Sequence, residues 1–172
     1  MVERIDAFAH ALPERFLEEM ADIHPTAELM DMSDSTHMWD VDHRLSDMDE
    51  YGVDRQCIML SRSTIWRGLD PDDALPLAEL ANDTMVELAD ESDRLIPVGT
   101  IPMATDDFVS EFRRCIEDLG MAGVQIFSNV DGRPIDGEEF HELYAVAEEL
   151  DAPLWLHPQL AEYYDWTDEY GN

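Results

Sequence analysis

The sequence predicts an α/β fold of the (β/α)8 TIM-barrel type, of which this chain supplies the first part. Short apolar segments alternate with longer segments of helical period along the 172 residues, which is typical of consecutive βα units around a parallel sheet. No predicted strand is followed by the GxGxxG turn of a dinucleotide-binding sheet. Because a complete barrel takes roughly 250 residues, we expect residues 1–172 to form one partial domain that is truncated after about five βα strands.

The first half of the chain predicts two strand–helix units separated by an irregular segment. A strand is expected over residues 3–9 and a helix over residues 13–21, where apolar side chains recur at helical spacing. Residues 22–41 are rich in Met and His and indicate an excursion before a short helix over 42–51. Residues 55–61 are almost continuously apolar, as expected of a strand that is covered on both sheet faces.

The second half predicts three more strands, each preceded by a helix. Pro71 and Pro76 leave the start of the first of these helices open. Thr105 is expected to cap the second helix, and Gly120 is expected to end it. The predicted elements are, in order, a helix over 73–92, a strand over 95–101, a helix over 105–119, a strand over 123–127, a helix over 137–150 and a strand over 153–157.

Acidic residues dominate the charge of the chain. The 41 Asp and Glu residues stand against 10 basic residues, all of them arginine, for a formal net charge of -31. Such a charge repels phosphates and anionic lipids, so we expect neither nucleic acid nor a membrane surface as a partner. Because the acids are spread along the chain and not gathered in a tail, the pattern is typical of a halophilic, acidic protein.

Neither the start of the chain nor its cysteines indicate export or redox chemistry. Residues 1–4 lack the basic and apolar pattern of a signal peptide, and no apolar run approaches the roughly 20 residues that cross a bilayer. We therefore expect a cytoplasmic protein. Cys57 and Cys115 lie in apolar segments without CxxC spacing, which predicts buried structural thiols.

The strand ends place two histidines where a barrel of this type carries its chemistry. Alternate side chains of a strand share a face, so Asp6, Phe8 and His10 are expected to point together near the end of the first strand. His157 ends the fifth strand. Since the carboxyl ends of barrel strands meet at one mouth, we expect His10 and His157 to lie close together. Taken singly, each is better explained as a hydrogen-bonded histidine at a strand end.

Several segments resemble one enzyme family in order and in spacing. Residues 5–13, IDAFAHALP, resemble the DxHxHxLP opening of the amidohydrolase-related (amidohydrolase 2) family, which includes aminocarboxymuconate semialdehyde decarboxylase. Further resemblance lies in GTIPM at 99–103, GVQI at 123–126, LYAVAEEL at 143–150 and LHP at 156–158. The resemblance therefore spans nearly the whole chain and corresponds to the N-terminal part of the family's barrel.

The resemblance implies a metal-dependent hydrolase or decarboxylase that acts on a small carboxylated substrate. In the family, a divalent metal, usually zinc, is held by two first-strand positions, a histidine ending strand five and an aspartate from strand eight. His10 and His157 match these positions and are the metal ligands that the resemblance implies. Phe8 occupies the place of the first ligand and has no lone pair, which predicts weak metal binding. No catalytic residue can be assigned.

Other polar residues leave two interpretations open. Arg62 and Arg67 flank Trp66 in the loop after the second strand, where they can bind a substrate carboxylate through bidentate hydrogen bonds. Charge balance on an acidic surface explains the two arginines equally well, and packing explains Trp66. The remaining histidines show no ligand spacing, and we assign no role to His24, His37, His43 and His141.

Three functions remain in competition at this point. The first is an enzyme, a metal-assisted decarboxylase or hydrolase, of which this chain is a fragment or one half of a split barrel that a complementary C-terminal half completes. The second is a non-catalytic half-barrel whose first and fifth strands are unpaired and associate with another chain, including a second copy. The third is a truncated product without function, which residues 162–172 fit because they stop within a βα connection. Metal bound stoichiometrically in protein purified at high salt would favour the first over the second.

The charge of the chain predicts a fold that loosens when salt is removed. Self-repulsion opposes the compact state, and molar salt screens it because the Debye length falls to roughly 3 Å. We expect the melting temperature followed by circular dichroism to fall clearly between molar and millimolar salt. Identical melting curves at the two salt concentrations would contradict this expectation.

Overall fold

Five parallel strands in sequence order frame the fold of this computed structural model, which describes residues 2–23, 36–61, 69–130 and 132–159. The helices are α1 Glu14–Ile23, α2 Val41–Tyr51, α3 Pro71–Ala89, α4 Phe108–Arg113 and α5 His141–Glu149. The strands are β1 Ile5–Ala11, β2 Arg55–Leu60, β3 Leu95–Pro97, β4 Gly99–Thr100, β5 Val124–Phe127, β6 Asn129–Val130, β7 Arg133–Pro134 and β8 Leu154–His157. Short 3-10 turns cover Thr36–Met38 and Glu138–Phe140, and a π turn covers Arg114–Asp118.

The order of strand pairing is that of a βα barrel. Strand β1 pairs in parallel with β2 and β2 with β3, while β4 pairs in parallel with β5 and β5 with β8. Strands β3 and β4 are two parts of one barrel strand, because the intervening Val98 still donates its backbone N–H to the Ile58 carbonyl at 2.9 Å. The prediction of a truncated TIM-type barrel with five βα strands is confirmed.

The two prolines of α3 are both compatible with one long helix. Pro71 is the first helical residue, where the missing N–H costs no hydrogen bond, and the Asp70 carboxylate before it accepts from the Asp72 N–H at 3.1 Å. Pro76 lies inside the helix and does not end it. The helix therefore begins two residues earlier than the sequence pattern predicts.

The helix that Thr105 was predicted to cap, with Asp106 and Asp107 in its first turn, begins at Phe108 instead. The Thr105 hydroxyl accepts from the Asp107 N–H at 3.3 Å and donates to the Pro102 carbonyl at 3.0 Å, so it shapes the turn before α4 and does not cap the helix. Gly120 has φ +65°, and the helical segment ends there as predicted.

Apolar side chains form two cores on the two sides of the sheet. The larger core lies between the strands and the helices, and its fully buried members include Phe16, Leu77, Phe112 and Leu143. The smaller core lies on the inner, concave side of the sheet. It consists of Cys57, Met59 and Val98, with the partly buried Ile96 and Trp155 packed against them. The inside of the half-barrel is therefore a packed interior, as in other barrels.

Both cysteines are buried free thiols, as the sequence predicts. Burial raises the pKa of the Cys57 thiol and of the Cys115 thiol, which keeps both protonated at neutral pH. Cys115 also explains why residue 99 is a glycine, since a Cβ atom at this position would lie 2.7 Å from the Sγ atom of Cys115. The thiol packs against the backbone of β4 and has a structural role.

The described helices present charged outer surfaces. Arg15, Arg94, Arg113 and Arg114 each approach an exposed or half-exposed carboxylate at 2.5–2.8 Å. Exposed pairs of this kind contribute little individually, typically below about 1 kcal/mol. Within the described residues, no helix is both long enough and apolar enough to pass through a membrane.

A buried polar cluster joins α3, α4 and β4. The Asn82 side chain donates to the Thr100 carbonyl at 2.8 Å and accepts from the Thr100 N–H at 2.8 Å. Both backbone groups of Thr100 in the short strand β4 are therefore hydrogen-bonded. It also donates to the Glu111 carboxylate at 2.6 Å. Glu111 is 1% exposed and receives two N–H groups of Arg114 at 2.8 and 2.9 Å, so its buried charge is neutralised.

Replacing Asn82 by Ala should strongly destabilise the fold. The change removes three hydrogen bonds and leaves buried partners unsatisfied, for an expected loss of about 3 kcal/mol or more in the free energy of unfolding. Urea denaturation in molar salt measures this change in the free energy of unfolding. The matched control is Asp83→Ala, the next residue of α3, whose half-exposed carboxylate pairs with Arg114 and should cost less than about 1 kcal/mol. Equal losses in the two variants would contradict the role of the buried cluster.

Candidate active site at the strand ends

The carboxyl ends of β1 and β8 bring the two predicted metal ligands, His10 and His157, together with Phe8. The ring centroids of His10 and His157 lie 5.3 Å apart. The Phe8 ring lies 5.6 Å from His10 and 5.9 Å from His157, so the three rings form one cluster. Phe127, which neighbours His157 across the β5–β8 ladder, packs against its ring at 5.7 Å. The structure thus places His10 and His157 at one shared mouth.

Asp6 does not join this cluster, contrary to the prediction from strand alternation. The β1–β2 register shifts between Asp6 and Ala9, so one extra residue is inserted in β1. Across this bulge the side-chain alternation reverses, because Asp6 pairs with Gln56 while His10 pairs with Met59 of the inner core. The Asp6 carboxylate instead accepts from the Phe8 N–H at 3.1 Å and from the Gln56 side chain at 2.8 Å.

The backbone of His10 is held by a buried arginine. Arg44 of α2 is 5% exposed and donates to the His10 carbonyl at 2.7 Å and to the Gln56 side-chain carbonyl at 2.6 Å. Gln56 in turn donates to Asp6, so the guanidinium is linked to a carboxylate through one amide. This relay ties α2, β2 and the bulged part of β1 together behind the ring cluster.

The His10 ring is poised to remain neutral. Burial chiefly lowers its pKa below the ordinary value, and the nearby His157 and Arg44 lower it further, against the opposing effect of the Met59 and Leu60 backbones. Its Nδ1 atom is buried and has no hydrogen-bond partner among the described residues. A neutral imidazole with an unpaired nitrogen is suited to bind a metal or a substrate proton donor.

The His157 ring has a defined tautomer. Its Nδ1 atom lies 2.8 Å from the Pro158 carbonyl, which accepts only, so Nδ1 carries the proton and Nε2 keeps a lone pair. The segment that follows is anchored by Asn129, which donates to the Gln159 carbonyl at 2.9 Å, and by Ser128, whose hydroxyl accepts from the Gln159 N–H at 2.9 Å. The residues that follow β5 therefore orient the chain after β8.

Two inward-facing side chains cross the concave side of the sheet. The Trp155 indole N–H of β8 donates to the Ala7 carbonyl of β1 at 2.6 Å. Gln125 of β5 donates to the Leu60 carbonyl of β2 at 3.2 Å. These bonds connect strands that are not neighbours in the sheet and hold the two ends of the half-barrel together. The Gln125 Oε1 atom and the hydroxyl of Thr100, its neighbour across the β4–β5 ladder, have no partner among the described residues.

The residues present at the mouth do not complete a metal site. His10 and His157 supply nitrogen donors of the kind that zinc, manganese or iron sites use, but Phe8 supplies none. No third His, Cys, Asp or Glu within residues 2–23, 36–61, 69–130 and 132–159 joins these two imidazoles. A catalytic divalent site takes three protein ligands or more, so the pair fits a metal in donor chemistry but not in number.

Sequence reasoning missed the residues that position this site. Arg44, Gln56, Ser128 and Asn129 support the two histidines through the hydrogen bonds described above. The available signal was that some of these polar side chains lie beside or between apolar strand residues. Polar side chains buried in this way nearly always have a hydrogen-bond partner. The predicted substrate-binding residues Arg62, Trp66 and Arg67, and also His24, lie outside the described residues.

Comparison with known proteins identifies similar chains. The family model described as Amidohydrolase matches residues 5–172. The 2-amino-3-carboxymuconate-6-semialdehyde decarboxylase of Dictyostelium discoideum is 34% identical over 72% of this chain and 35% of its own length. A gamma-resorcylate decarboxylase of Rhizobium radiobacter is 31% identical over 69% of this chain and 38% of its own length.

A solved structure shows the same architecture. The 5-carboxyvanillate decarboxylase of Novosphingobium aromaticivorans, complexed with manganese and 4-hydroxy-3-methoxy-5-nitrobenzoic acid, superposes with a TM-score of 0.76 at 25% identity. The match covers 98% of this chain and 54% of that protein. This chain therefore spans between about a third and about half of the length of the relatives that it matches.

The lowered pKa of His10 predicts a stability that depends on pH. In the unfolded chain the imidazole takes up a proton near pH 6.5, whereas in the folded chain it stays neutral to lower pH, so stability falls as the pH drops below about 6.5. In metal-free protein, His10→Gln should reduce this loss between about pH 7.5 and 5.5. Urea midpoints in molar salt measure it, with His141→Gln on the exposed surface of α5 as the control. A His10→Gln profile that runs parallel to that of the wild type would refute the assignment.

Proposed function

The chain belongs to the amidohydrolase family, and from that premise we propose that it supplies the N-terminal half of a decarboxylase barrel for small carboxylated substrates. The observation that carries the proposal is the convergence of His10 and His157 from opposite ends of the half-barrel, with their rings 5.3 Å apart. Two strand-end imidazoles at one barrel mouth occupy the position where barrel enzymes carry out their chemistry. We propose residues 1–172 as one partial barrel domain.

The relatives support carbon dioxide release over hydrolysis. The three similar proteins described above are named as decarboxylases of an unsaturated or aromatic carboxylic acid. In such a reaction the bond between the substrate carbon and its carboxylate breaks, the electron pair stays on that carbon, and a proton takes the place of carbon dioxide. We propose a small carboxylate of this class as the substrate. The acid that supplies the proton has no candidate among the described residues.

His10 and His157 are the proposed metal ligands of this chain. The Nε2 atom of His157 keeps its lone pair, and the buried Nδ1 atom of His10 forms no hydrogen bond with any described residue. Since two imidazoles do not complete a site, the remaining ligands of a divalent ion have to come from outside the described residues. The manganese-bearing decarboxylase makes manganese as good a candidate as zinc.

Arg62, Trp66 and Arg67 are the proposed substrate-binding residues. Arg62 and Arg67 are two of only 10 basic residues in the chain, and both follow β2, whose carboxyl end faces the mouth. A guanidinium matches a carboxylate in geometry, and Trp66 between them offers an aromatic surface for a planar substrate. The high acidic charge supports a salt-rich cytoplasm as the place of action.

A second candidate function rests on the exposed outer strands. Strands β1 and β8 each pair with one neighbour among the described residues, and apolar side chains on them are exposed, with Phe8 at 41%, Ile5 at 48% and Leu156 at 52%. Bare strand edges with apolar side chains favour association with another chain. This association serves catalysis if the partner supplies the other half of the barrel, and it is purely structural if it does not.

A reconstitution assay tests the proposal. The chain is coexpressed with the C-terminal half of the gamma-resorcylate decarboxylase of Rhizobium radiobacter, and the two are purified in molar salt. Carbon dioxide release from gamma-resorcylate is then measured. We expect the two halves to copurify and to release carbon dioxide, which neither half does alone. His157→Ala should lower the rate at least about tenfold, since loss of a metal ligand costs at least as much as loss of its supporting groups. Phe8→His should raise the rate by restoring a third donor.

Tyr51→His is the matched control for Phe8→His. It also converts an aromatic side chain to an imidazole, but it lies on α2 with 71% of its surface exposed, and it should leave the rate unchanged. Light scattering reports assembly independently of turnover. A stable complex without carbon dioxide release, in both the wild type and Phe8→His, would remove the catalytic proposal and leave the structural one.

A further inference from the structure

We propose that His37, His43 and Asp47 form a binding site for a divalent transition-metal ion of the zinc, nickel or copper class. One donor atom from each of the three side chains lies within 4.8 Å of the other two. The His43 Nε2 and Asp47 Oδ2 atoms are 3.9 Å apart. None of these residues takes part in the ring cluster at the barrel mouth, so the site is independent of the proposed decarboxylase function.

The backbone holds these three residues in place before any ion binds. His43 and Asp47 are four residues apart on α2 and therefore project from the same helix face. His37 lies in the turn Thr36–Met38, directly before the helix. The Thr36 carbonyl accepts from the Asp40 N–H at 2.9 Å, and the Asp40 carboxylate caps α2 by accepting from the His43 N–H at 2.9 Å. The turn and the helix thus form one hydrogen-bonded unit.

The core anchors this unit to the rest of the fold. The Met38 carbonyl accepts from the Leu12 N–H at 2.8 Å, directly after β1. Met38, Val41 and Met48 are at most 6% exposed, so the side of the turn and helix opposite to the donors is packed. The backbones that carry His37, His43 and Asp47 therefore cannot separate without local unfolding, while their side chains remain free to rotate.

The spacing of the donors suits a small ion with bonds of about 2.1 Å. Two ligands of a tetrahedral ion at that distance lie about 3.4 Å apart, so the His43 to Asp47 pair needs to close by only about 0.5 Å. His37 and His43 are exposed and Asp47 is half-exposed, which allows this adjustment by side-chain rotation. Water fills the fourth position, as in other three-ligand sites.

The donor set and the local charge select the class of ion. Two imidazoles and one carboxylate favour zinc, nickel or copper over magnesium or calcium, which prefer oxygen ligands. Helix α2 carries Asp42, Asp47, Asp49 and Glu50 against the single buried Arg44, so its exposed surface attracts cations. A bound ion would add a cross-link between the turn and the helix and would stabilise the fold by mass action.

Zinc titration of the metal-stripped chain in molar salt tests this site. The full chain is treated with a chelator, and Zn2+ binding is measured by competition with a chromophoric chelator. We expect His37→Ala, His43→Ala and Asp47→Ala each to weaken zinc binding at least about tenfold, since loss of a ligand costs no less than loss of a supporting group. His141→Ala, which removes an exposed imidazole on α5, should leave the zinc affinity unchanged. Circular dichroism confirms that each variant folds.

A His10→Ala, His157→Ala double variant separates this site from the barrel mouth. If the double variant retains the zinc that the three single variants lose, the site is assigned to α2 and the preceding turn. If the double variant loses the zinc and the single variants keep it, the ion binds at the mouth and the proposal is overturned. The absence of zinc binding to the wild type, or zinc affinity that is unchanged in any of the three single variants, overturns it as well. None of these outcomes bears on the decarboxylase proposal, which the reconstitution assay tests separately.

Discussion

The hydrogen bond from the Trp155 indole to the Ala7 carbonyl sets the shape on which the candidate site depends. Among the described residues, β1 and β8 share no neighbouring strand, and no backbone ladder joins them directly. Trp155 spans this gap from the inside at 2.6 Å, and Gln125 makes a similar connection from β5 to β2. The aromatic ring also fills the inner core beside Cys57, Met59 and Val98. This internal connection therefore contributes to the 5.3 Å separation between the rings of His10 and His157.

The bulge in β1 is the second local feature that decides the chemistry. One inserted residue reverses the alternation, so that His10 faces the mouth while Asp6 faces Gln56 and Arg44. Bulges often aim side chains next to active sites, and this one also places the Ala7 carbonyl where Trp155 can reach it. The buried Arg44 then holds the His10 carbonyl from behind. Fold and site are therefore coupled through the same few residues of the first strand.

Phe8 limits what the described residues can do by themselves. It stands among the rings where a third donor would complete a metal site, and it contributes packing instead of a lone pair. The pair of imidazoles is well prepared nonetheless, since His10 is neutral and His157 has its proton fixed on Nδ1. The cluster of His37, His43 and Asp47 shows the opposite balance, since its three donors are in reach of one another but belong to exposed or half-exposed side chains. The ring cluster at the mouth is thus the more buried of the two but has only two donors, whereas the exposed cluster has three.

The sequence by itself determined the strand–helix order, the buried thiols, the family and the placement of His10 and His157 at strand ends. These follow from hydrophobic period and from short motifs, which are local properties of the chain. Only the tertiary structure decided the bulge that turns Asp6 away, the start of α4 at Phe108, the support from Arg44 and the meeting of His37 with His43 and Asp47. The sequence analysis overlooked the i, i+4 spacing of His43 and Asp47 on the predicted helix and assigned His43 no role, and the approach of His37 was not visible in the sequence. Register shifts and contacts between elements depend on how the elements pack, and the local pattern of residues does not encode packing on its own.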